Sequence, residues 1–418
     1  MLELGTQLEL EISELSFGGD GLGRAANGAV VFVPFAAIGD KLLVEISLAR
    51  KSYFRARIID ILQPSPERIP AECKHFGRCG GCAYQHISYQ AEFAAKQKQL
   101  YDLLARVGGL SQLPELSPAC PAPQLYGYRN KLKLEPSEAV RDDHGVHLSY
   151  GYCLKDEQRF FTVRECPLAM PVINQNLGKA LRSAWAKQNA KKEIPGSLTL
   201  RASADGKCHY FFGRAPVNVS WLKEQIHAEQ VSVPLGSFWQ VNPAVADKLF
   251  QVLEGWALEL EADTLVDAYG GAGTYCLALR APYRERVLIE SDPQACEAAS
   301  YNLAQRALGC RIIRQKSEIA LPKELKTLPA KQTLLLLNPP RSGCHEKVLH
   351  SILKFKPRYV CYVACNPATL ARDLKILCAK NKYAVEKLAI FDMFPRTAHF
   401  ETALLLKANW TQRHTKAH

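Results

Sequence analysis

Short runs in which apolar and polar residues alternate open the chain, at Leu8 to Ile12, Ala29 to Val33, Lys41 to Ile46 and Phe54 to Ile61, with glycines between them. A period of two turns one face of each run inward, so residues 1–62 predict a small all-β barrel of the OB-like kind. Gly18-Gly19-Asp20-Gly21-Leu22-Gly23-Arg24 reads as a turn between runs, since it lacks the spacing and the lysine of a phosphate loop. Gln63-Pro64-Ser65-Pro66-Glu67 then reads as a stiff linker. Residues 63–235 are mixed α+β in pattern, cysteine-rich at first, with apolar residues recurring at three and four that predict a helix over Tyr89 to Val107. In residues 236–418, strands at Thr264 to Ala268, Arg286 to Ile289, Thr333 to Leu337, Tyr359 to Ala364, Ala389 to Phe391 and Thr402 to Leu406 alternate with helical segments. That order predicts a doubly wound, Rossmann-like α/β domain that binds ligands at the strand carboxyl ends. The basic tail after Trp410 is expected to be disordered.

Composition narrows this picture. A chain of 418 residues, 47% hydrophobic, can fill more than one core. Lys plus Arg number 53 against 41 Asp plus Glu, a net charge of +12 that favours a polyanionic partner without naming one. No apolar run approaches the roughly 20 residues that span a bilayer, and Met1-Leu2-Glu3-Leu4-Gly5 is no secretion signal, so a cytoplasmic location is expected. Fourteen cysteines in such a compartment are expected as thiols or metal-bound thiolates rather than disulfides.

Three segments carry chemistry. Leu265-Val266-Asp267-Ala268-Tyr269-Gly270-Gly271-Ala272-Gly273-Thr274 is a buried strand entering a glycine turn, where backbone can approach a ligand closely. Glu290 ends the next strand, nineteen residues past Gly271, where a carboxylate can accept from two ribose hydroxyls. Dinucleotide binding would suit this pair of features as well. The prolyl turn Asn338-Pro339-Pro340-Arg341 at the end of the strand Thr333 to Leu337 favours methyl transfer over hydride transfer. Cys365 follows the strand Tyr359 to Ala364 and precedes the helical pattern that starts at Pro367, a position where the positive end of a helix favours the thiolate. The plainer reading is an inert buried thiol like Cys361. Glu401 opens an apolar strand, either as a proton acceptor with a raised pKa or as a strand-end acid paired with Arg396.

Phe238-Trp239-Gln240-Val241-Asn242-Pro243, Tyr269 to Thr274, the Pro-Pro-Arg turn, Tyr362-Val363-Ala364-Cys365-Asn366-Pro367 and His399-Phe400-Glu401 occur in an order that resembles the RNA uracil-5-methyltransferases, in particular their iron-sulfur 23S ribosomal RNA branch. The resemblance covers nearly the whole chain. It implies a class I methyltransferase domain, Cys365 as nucleophile, Glu401 as base, and Gln240, Tyr269, Thr274, Glu290 and Asn338 lining a pocket for S-adenosyl-L-methionine. A monomer is the default expectation, and because the base must leave its stack to expose C6 and C5, it is expected to flip into a pocket between the central and catalytic parts. The chain departs from the family at two positions, with Asn338 where Asp is usual and Gly270 where Cys is usual.

Cys73, Cys79 and Cys82 are spaced C-x5-C-x2-C, unlike the paired spacing of common zinc fingers, and one more thiolate is needed to close a site. The resemblance supplies Cys166 as that ligand and implies a 4Fe-4S cluster, with zinc or free thiols as the other readings. The amino-terminal barrel resembles a TRAM domain, and Arg50, Lys51, Tyr53, Arg55 and Arg57 would offer it a nucleic-acid face. Two rival functions stand beside this one: an amino-group methyltransferase, suggested by the Asn-Pro-Pro turn and opposed by Arg341, and an RNA-binding ribosome assembly factor that lost turnover, suggested by Asn338.

Overall fold

A computed structural model of the chain describes residues 2–142, 145–155, 159–191, 194–217, 219 and 221–410. The tail beyond Trp410, expected to be disordered, lies outside the described residues. Five strands close the amino-terminal barrel: β1 (Gln7–Leu15), β2 (Gly21–Arg24), β3 (Val30–Val33), β4 (Lys41–Ala49) and β5 (Phe54–Gln63), in the order β1-β2-β3-β5-β4. Strand β2 occupies what the sequence reads as a turn. Its glycines are there for contact: a Cβ on Gly23 would come within 2.5 Å of the Glu11 carbonyl oxygen on the neighbouring strand.

Helix α1 (Tyr89–Arg106), capped by the Ser88 hydroxyl accepting from the Ala91 amide at 3.2 Å, agrees with the predicted helix. Strand β6 (Leu116–Cys120) follows. The central sheet has the order β11-β10-β7-β8-β9, built from β7 (Lys131–Asp142), β8 (Gly145–Cys153), β9 (Phe160–Thr162), β10 (Leu198–Ala202) and β11 (Cys208–Phe212). Helix α2 (Pro171–Lys191) covers one face and a separate hairpin, β12 (Leu222–Ile226) with β13 (Glu229–Val233), leads into the last part of the chain.

There the elements alternate: α3 (Pro243–Leu258), β14 (Thr264–Ala268), α4 (Thr274–Ala278), β15 (Glu285–Glu290), α5 (Pro293–Ala304), β16 (Arg311–Arg314), α6 (Ser317–Thr327), β17 (Thr333–Leu337), α7 (Glu346–Phe355), β18 (Tyr359–Ala364), α8 (Pro367–Leu377), β19 (Tyr383–Phe391) and β20 (Glu401–Ala408). The sheet order is β16-β15-β14-β17-β18-β20-β19-β6, parallel except for β20, which runs antiparallel to β18 and β19. Layers of helix on both faces make the central strands apolar throughout. In β17, Leu334, Leu335, Leu336 and Leu337 are all at most 1% exposed, and burying each contributes roughly 1.5–3 kcal/mol.

Strands β6 and β16 were not legible in the sequence. Strand β6 comes from the middle of the chain yet pairs in parallel with β19, and α1 packs against α8, so residues 63–235 lend a strand and a helix to the carboxyl-terminal sheet. The chain order reverses between β14 and β17, and in open α/β sheets ligands bind at such a switch point, outside the strand carboxyl ends. None of the described helices is long and apolar enough to cross a membrane.

Candidate active site

Every catalytic and cofactor-binding candidate sits at a carboxyl end of this sheet or just before a helix that packs on it. Tyr269 leaves β14 at φ +70°, and Gly271 and Gly273 follow at +54° and +87°. Gly270 turns beneath Leu288, whose Cγ would lie 2.5 Å from a Cβ at that position, so a larger residue there requires the Leu288 side chain to move. Thr274 begins α4. The Glu290 carboxylate folds over the turn, accepting the Gly271 amide at 3.0 Å on one oxygen and the Ser291 and Asp292 amides at 2.6 and 2.7 Å on the other. Asp292 in turn caps α5 by accepting from Gln294 at 2.8 Å, which fixes the corner that presents Glu290.

On the opposite wall Gln240, 4% exposed, precedes the cap of α3, where the Asn242 side chain accepts from the Val245 amide at 3.4 Å and Pro243 opens the helix. The Gln240 backbone is held from the central sheet, its carbonyl accepting from Asn130 Nδ2 at 2.9 Å. Asn338, at the end of β17, donates from Nδ2 to the Tyr275 hydroxyl at 3.2 Å, and the Gln240 side chain bonds the same hydroxyl. Tyr275, 2% exposed, thereby joins two elements of the pocket, and the sequence reading missed it. Only its place one residue after Thr274 could have drawn notice. Tyr269 turns instead toward the loop before α7, bonding the Cys344 thiol and the His345 backbone.

Cys365 and Glu401 meet because of register. Antiparallel pairing of Ala364 with Thr402 makes Cys365 and Glu401 the next residues outward on β18 and β20. Asn366 caps α8, its side chain accepting the Ala368 amide at 3.1 Å, so Cys365 stands one residue before the cap. The Cys365 thiol pKa is raised, where the helix end was expected to lower it. Burial and the neighbouring Glu401 charge push the Cys365 thiol up to about 11, against the Arg341 guanidinium that pulls it down. Glu401, 3% exposed, is pushed by burial up to about 8, and Arg341 opposes that shift too.

The cation whose charge acts on Glu401 is Arg341 and not Arg396, whose guanidinium bonds Glu92 at 3.3 Å. The Arg341 carbonyl accepts from Asn366 Nδ2 and Thr369 Oγ1, both at 3.2 Å, which ties the prolyl turn of β17 to α8. Adjacent strand ends could have suggested this cation from the sequence. A thiol, a carboxyl poised near neutrality and a guanidinium thus share one end of the sheet, beside a glycine turn with an acid on the next strand.

The chain resembles known proteins over nearly its whole length. The family described as tRNA (Uracil-5-)-methyltransferase matches residues 220–409, and the TRAM domain matches residues 2–59. An uncharacterized RNA methyltransferase of Synechocystis sp. is 31% identical over 97% of this chain and 96% of its own length. The chain belongs to the RNA uracil-5-methyltransferase family. A tRNA (uracil(54)-C(5))-methyltransferase of Schizosaccharomyces pombe is 27% identical over 96% of this chain and 78% of its own length. The crystal structure of Pyrococcus abyssi tRNA (uracil-54, C5)-methyltransferase in complex with S-adenosyl-L-homocysteine superposes with a TM-score of 0.70 at 22% identity, covering 95% of this chain and 99% of that one, and shares its fold.

In this family member the cysteine-rich loop lies beside the central sheet. Cys73, Cys79, Cys82 and Cys166 line one cavity of about 50 Å³ with His75, Phe76, Tyr152, Phe161 and Leu168. Burial pushes the Cys79 thiol up to about 11 and the Cys82 thiol up to about 12, and raises Cys166 as well. Among the described residues no three His, Cys, Asp or Glu side chains form a group that could hold a metal ion. On the barrel, Arg55 is held by Asp20 at 2.8 Å and Arg57 by Glu45 at 2.7 Å, so part of the expected nucleic-acid face is spent on ion pairs of the fold.

Proposed function

We propose that the protein transfers a methyl group from S-adenosyl-L-methionine to C5 of a uridine in RNA, with 23S ribosomal RNA as the target. The observation that carries this reading is the pairing of Cys365 with Glu401 beside Arg341 at the open end of the sheet. Uracil C5 is a poor nucleophile. Addition of the Cys365 thiolate to C6 makes C5 electron-rich enough to take a methyl group from a sulfonium. Glu401, as the carboxylate, then takes the C5 proton, the C5–C6 double bond re-forms and the C6–S bond breaks with Cys365 leaving as the thiolate. Arg341 serves both steps, stabilising the thiolate and then the Glu401 carboxylate. At pH 7 the larger share of Glu401, pushed up to about 8, is protonated, which spares Cys365 a like charge as its own proton departs.

Gln240, Tyr269, Thr274, Glu290 and Asn338 would hold the methyl donor, with Glu290 accepting from its ribose and Tyr275 bracing Gln240 and Asn338. Asn338 retains its carbonyl oxygen as an acceptor while its amide serves Tyr275. Asn338→Asp would add a negative charge beside a cationic donor, and calorimetry is expected to show about tenfold tighter binding, or about 1.4 kcal/mol; weaker binding would mean that the neutral amide is the better partner here.

The target base must leave its stack to expose C5 and C6, and the 67% exposed ring of Phe238, two residues before Gln240, offers it a stacking face. A second reading, a transfer RNA target, is favoured by the relative named for tRNA uracil-54. Incubating the anaerobically purified protein with labelled donor and unmodified 23S RNA or tRNA, then identifying the nucleoside by mass spectrometry, tests both. Methyl on uracil C5 in one RNA selects the target; methyl on a base nitrogen rejects the mechanism.

Cys73, Cys79, Cys82 and Cys166 would hold a 4Fe-4S cluster. Four thiols lining one partly open, largely apolar cavity fit the ligand number, and thiols so reluctant to ionise need a strong positive charge to become thiolates. Such a group supplies structure here, because methyl transfer moves no electrons. Anaerobic protein is expected to contain about four iron and four sulfide per chain, and Cys166→Ser to lose its charge-transfer absorbance. Stoichiometric zinc instead would replace the cluster with a mononuclear site.

A further inference from the structure

Residues 392–400 deliver Glu401 to the site without regular structure, and their conformation comes from buried charges on α1. Lys96 donates from Nζ to Glu92 at 2.7 Å, to Asp392 at 2.8 Å and to the Phe394 carbonyl at 3.3 Å, and all three charged side chains are fully buried. The Tyr89 hydroxyl donates to the second Asp392 oxygen at 2.8 Å. Arg396 is the centre of the set. Its amide donates to Glu92 at 2.7 Å, its carbonyl accepts the Ala83 and Tyr84 amides at 2.9 and 3.2 Å, and its guanidinium donates to Glu92, to the Tyr84 carbonyl and to the Ile87 carbonyl at 3.3, 3.3 and 3.0 Å.

The backbone of Arg396 is at φ +67°, which a side-chain-bearing residue adopts only where its surroundings dictate it. Its side chain is 4% exposed, and a buried charge is tolerated only when paired and hydrogen-bonded. From this residue the chain runs through a turn closed by Thr397, whose hydroxyl donates to the Phe394 carbonyl at 2.8 Å and accepts the His399 amide at 3.2 Å, directly to Glu401. None of these bonds reaches the Cys365 end of the site.

We propose that Arg396 is a positioning residue for Glu401, clamping the loop between α1 and the segment Ala83–Ile87 so that the carboxyl meets C5 of the bound base. The same bonds join the loop to the residues that directly follow Cys82, so the cysteine-rich loop and the base are braced against one guanidinium. The proposal rests on the reading of Glu401 as the base. That base acts only after methyl transfer, so misplacing it slows release of the RNA from Cys365 and spares the steps before.

Single-turnover reactions of the full chain with labelled donor and unmodified RNA separate the two rates: label entering RNA reports transfer, and decay of the protein–RNA band on a denaturing gel reports release. In Arg396→Lys, which keeps a cation beside Glu92 but shortens its reach to the Tyr84 and Ile87 carbonyls, transfer is expected to stay within about threefold while release slows about tenfold or more. Glu92→Gln, which keeps Arg396 but weakens its anchor, is the second variant and is expected to show the same selective delay. Combining Arg396→Lys with Glu401→Gln should slow release no further than Glu401→Gln alone. Normal release in both Arg396→Lys and Glu92→Gln, beside a stalled Glu401→Gln, would overturn the clamp. Equal losses of transfer and release in both variants would overturn it as well, showing only structural damage. Should Glu401→Gln itself not stall, it is the assignment of the base that fails.

Discussion

Glu401→Gln is expected to trap the protein on its substrate: a covalent complex containing Cys365 and already methylated RNA accumulates, and its release slows by about 10³-fold. Addition and methyl transfer precede any need for the carboxylate, so both continue once per molecule. The amide fills the same space in a site where the carboxyl is 3% exposed. In the unaltered protein, release should rise about tenfold per pH unit and level off above about 8, the value to which burial pushes Glu401. The substitution also bears on stability. Because the folded-state pKa lies above the ordinary 4.5, Glu401 contributes most below pH 4.5 and that contribution is lost as pH rises through about 8. Glu401→Gln should therefore raise the unfolding free energy, most at alkaline pH, by up to the order of 5 kcal/mol. A denaturing gel showing no adduct, with turnover preserved, would remove Glu401 from the mechanism.

Cys365→Ala should lower methyl transfer to RNA by at least about 10⁴-fold, because without addition at C6 the C5 carbon lacks the electron density to attack the donor. Donor binding is expected to stay within about threefold, since Gln240, Glu290, Asn338 and the glycine turn come from other elements. Single-turnover transfer checks the first claim and calorimetry the second. Transfer that survives the substitution would point to an amino-group acceptor and to the Asn338-Pro339-Pro340 turn as its holder. Loss of both transfer and donor binding would show that the cysteine supports the pocket rather than the chemistry.

Beyond these outcomes, the cysteine and the acid were legible as separate features, each with a plain alternative. A thiol at a strand end and an acid opening an apolar strand are unusual choices locally, and chain order sufficed to note them. Their proximity was not legible, because it depends on the antiparallel register that sets Ala364 opposite Thr402, from strands separated by a helix and a further strand. The cation that acts on Glu401 was not legible for the same reason, and pairing with Arg396, one of the two readings of this acid, is not what the fold makes. Arg396 is five residues away in sequence yet turns its guanidinium to α1, while Arg341 arrives from another strand end.

The sequence by itself determined the alternation of strands and helices in the carboxyl-terminal part, the barrel at the amino terminus, the glycine turn with its acid, and the three clustered cysteines. These are local properties: hydrophobic period, glycine freedom and spacing act within a few residues. Only the tertiary structure decided that β6 and α1 leave the central part to complete the catalytic sheet, that Tyr275 links Gln240 to Asn338, that Cys166 faces the cavity of Cys73, Cys79 and Cys82, and that burial rather than a helix end governs the Cys365 thiol. Each follows from packing segments distant in the chain, where desolvation and a neighbour's charge outweigh local preference.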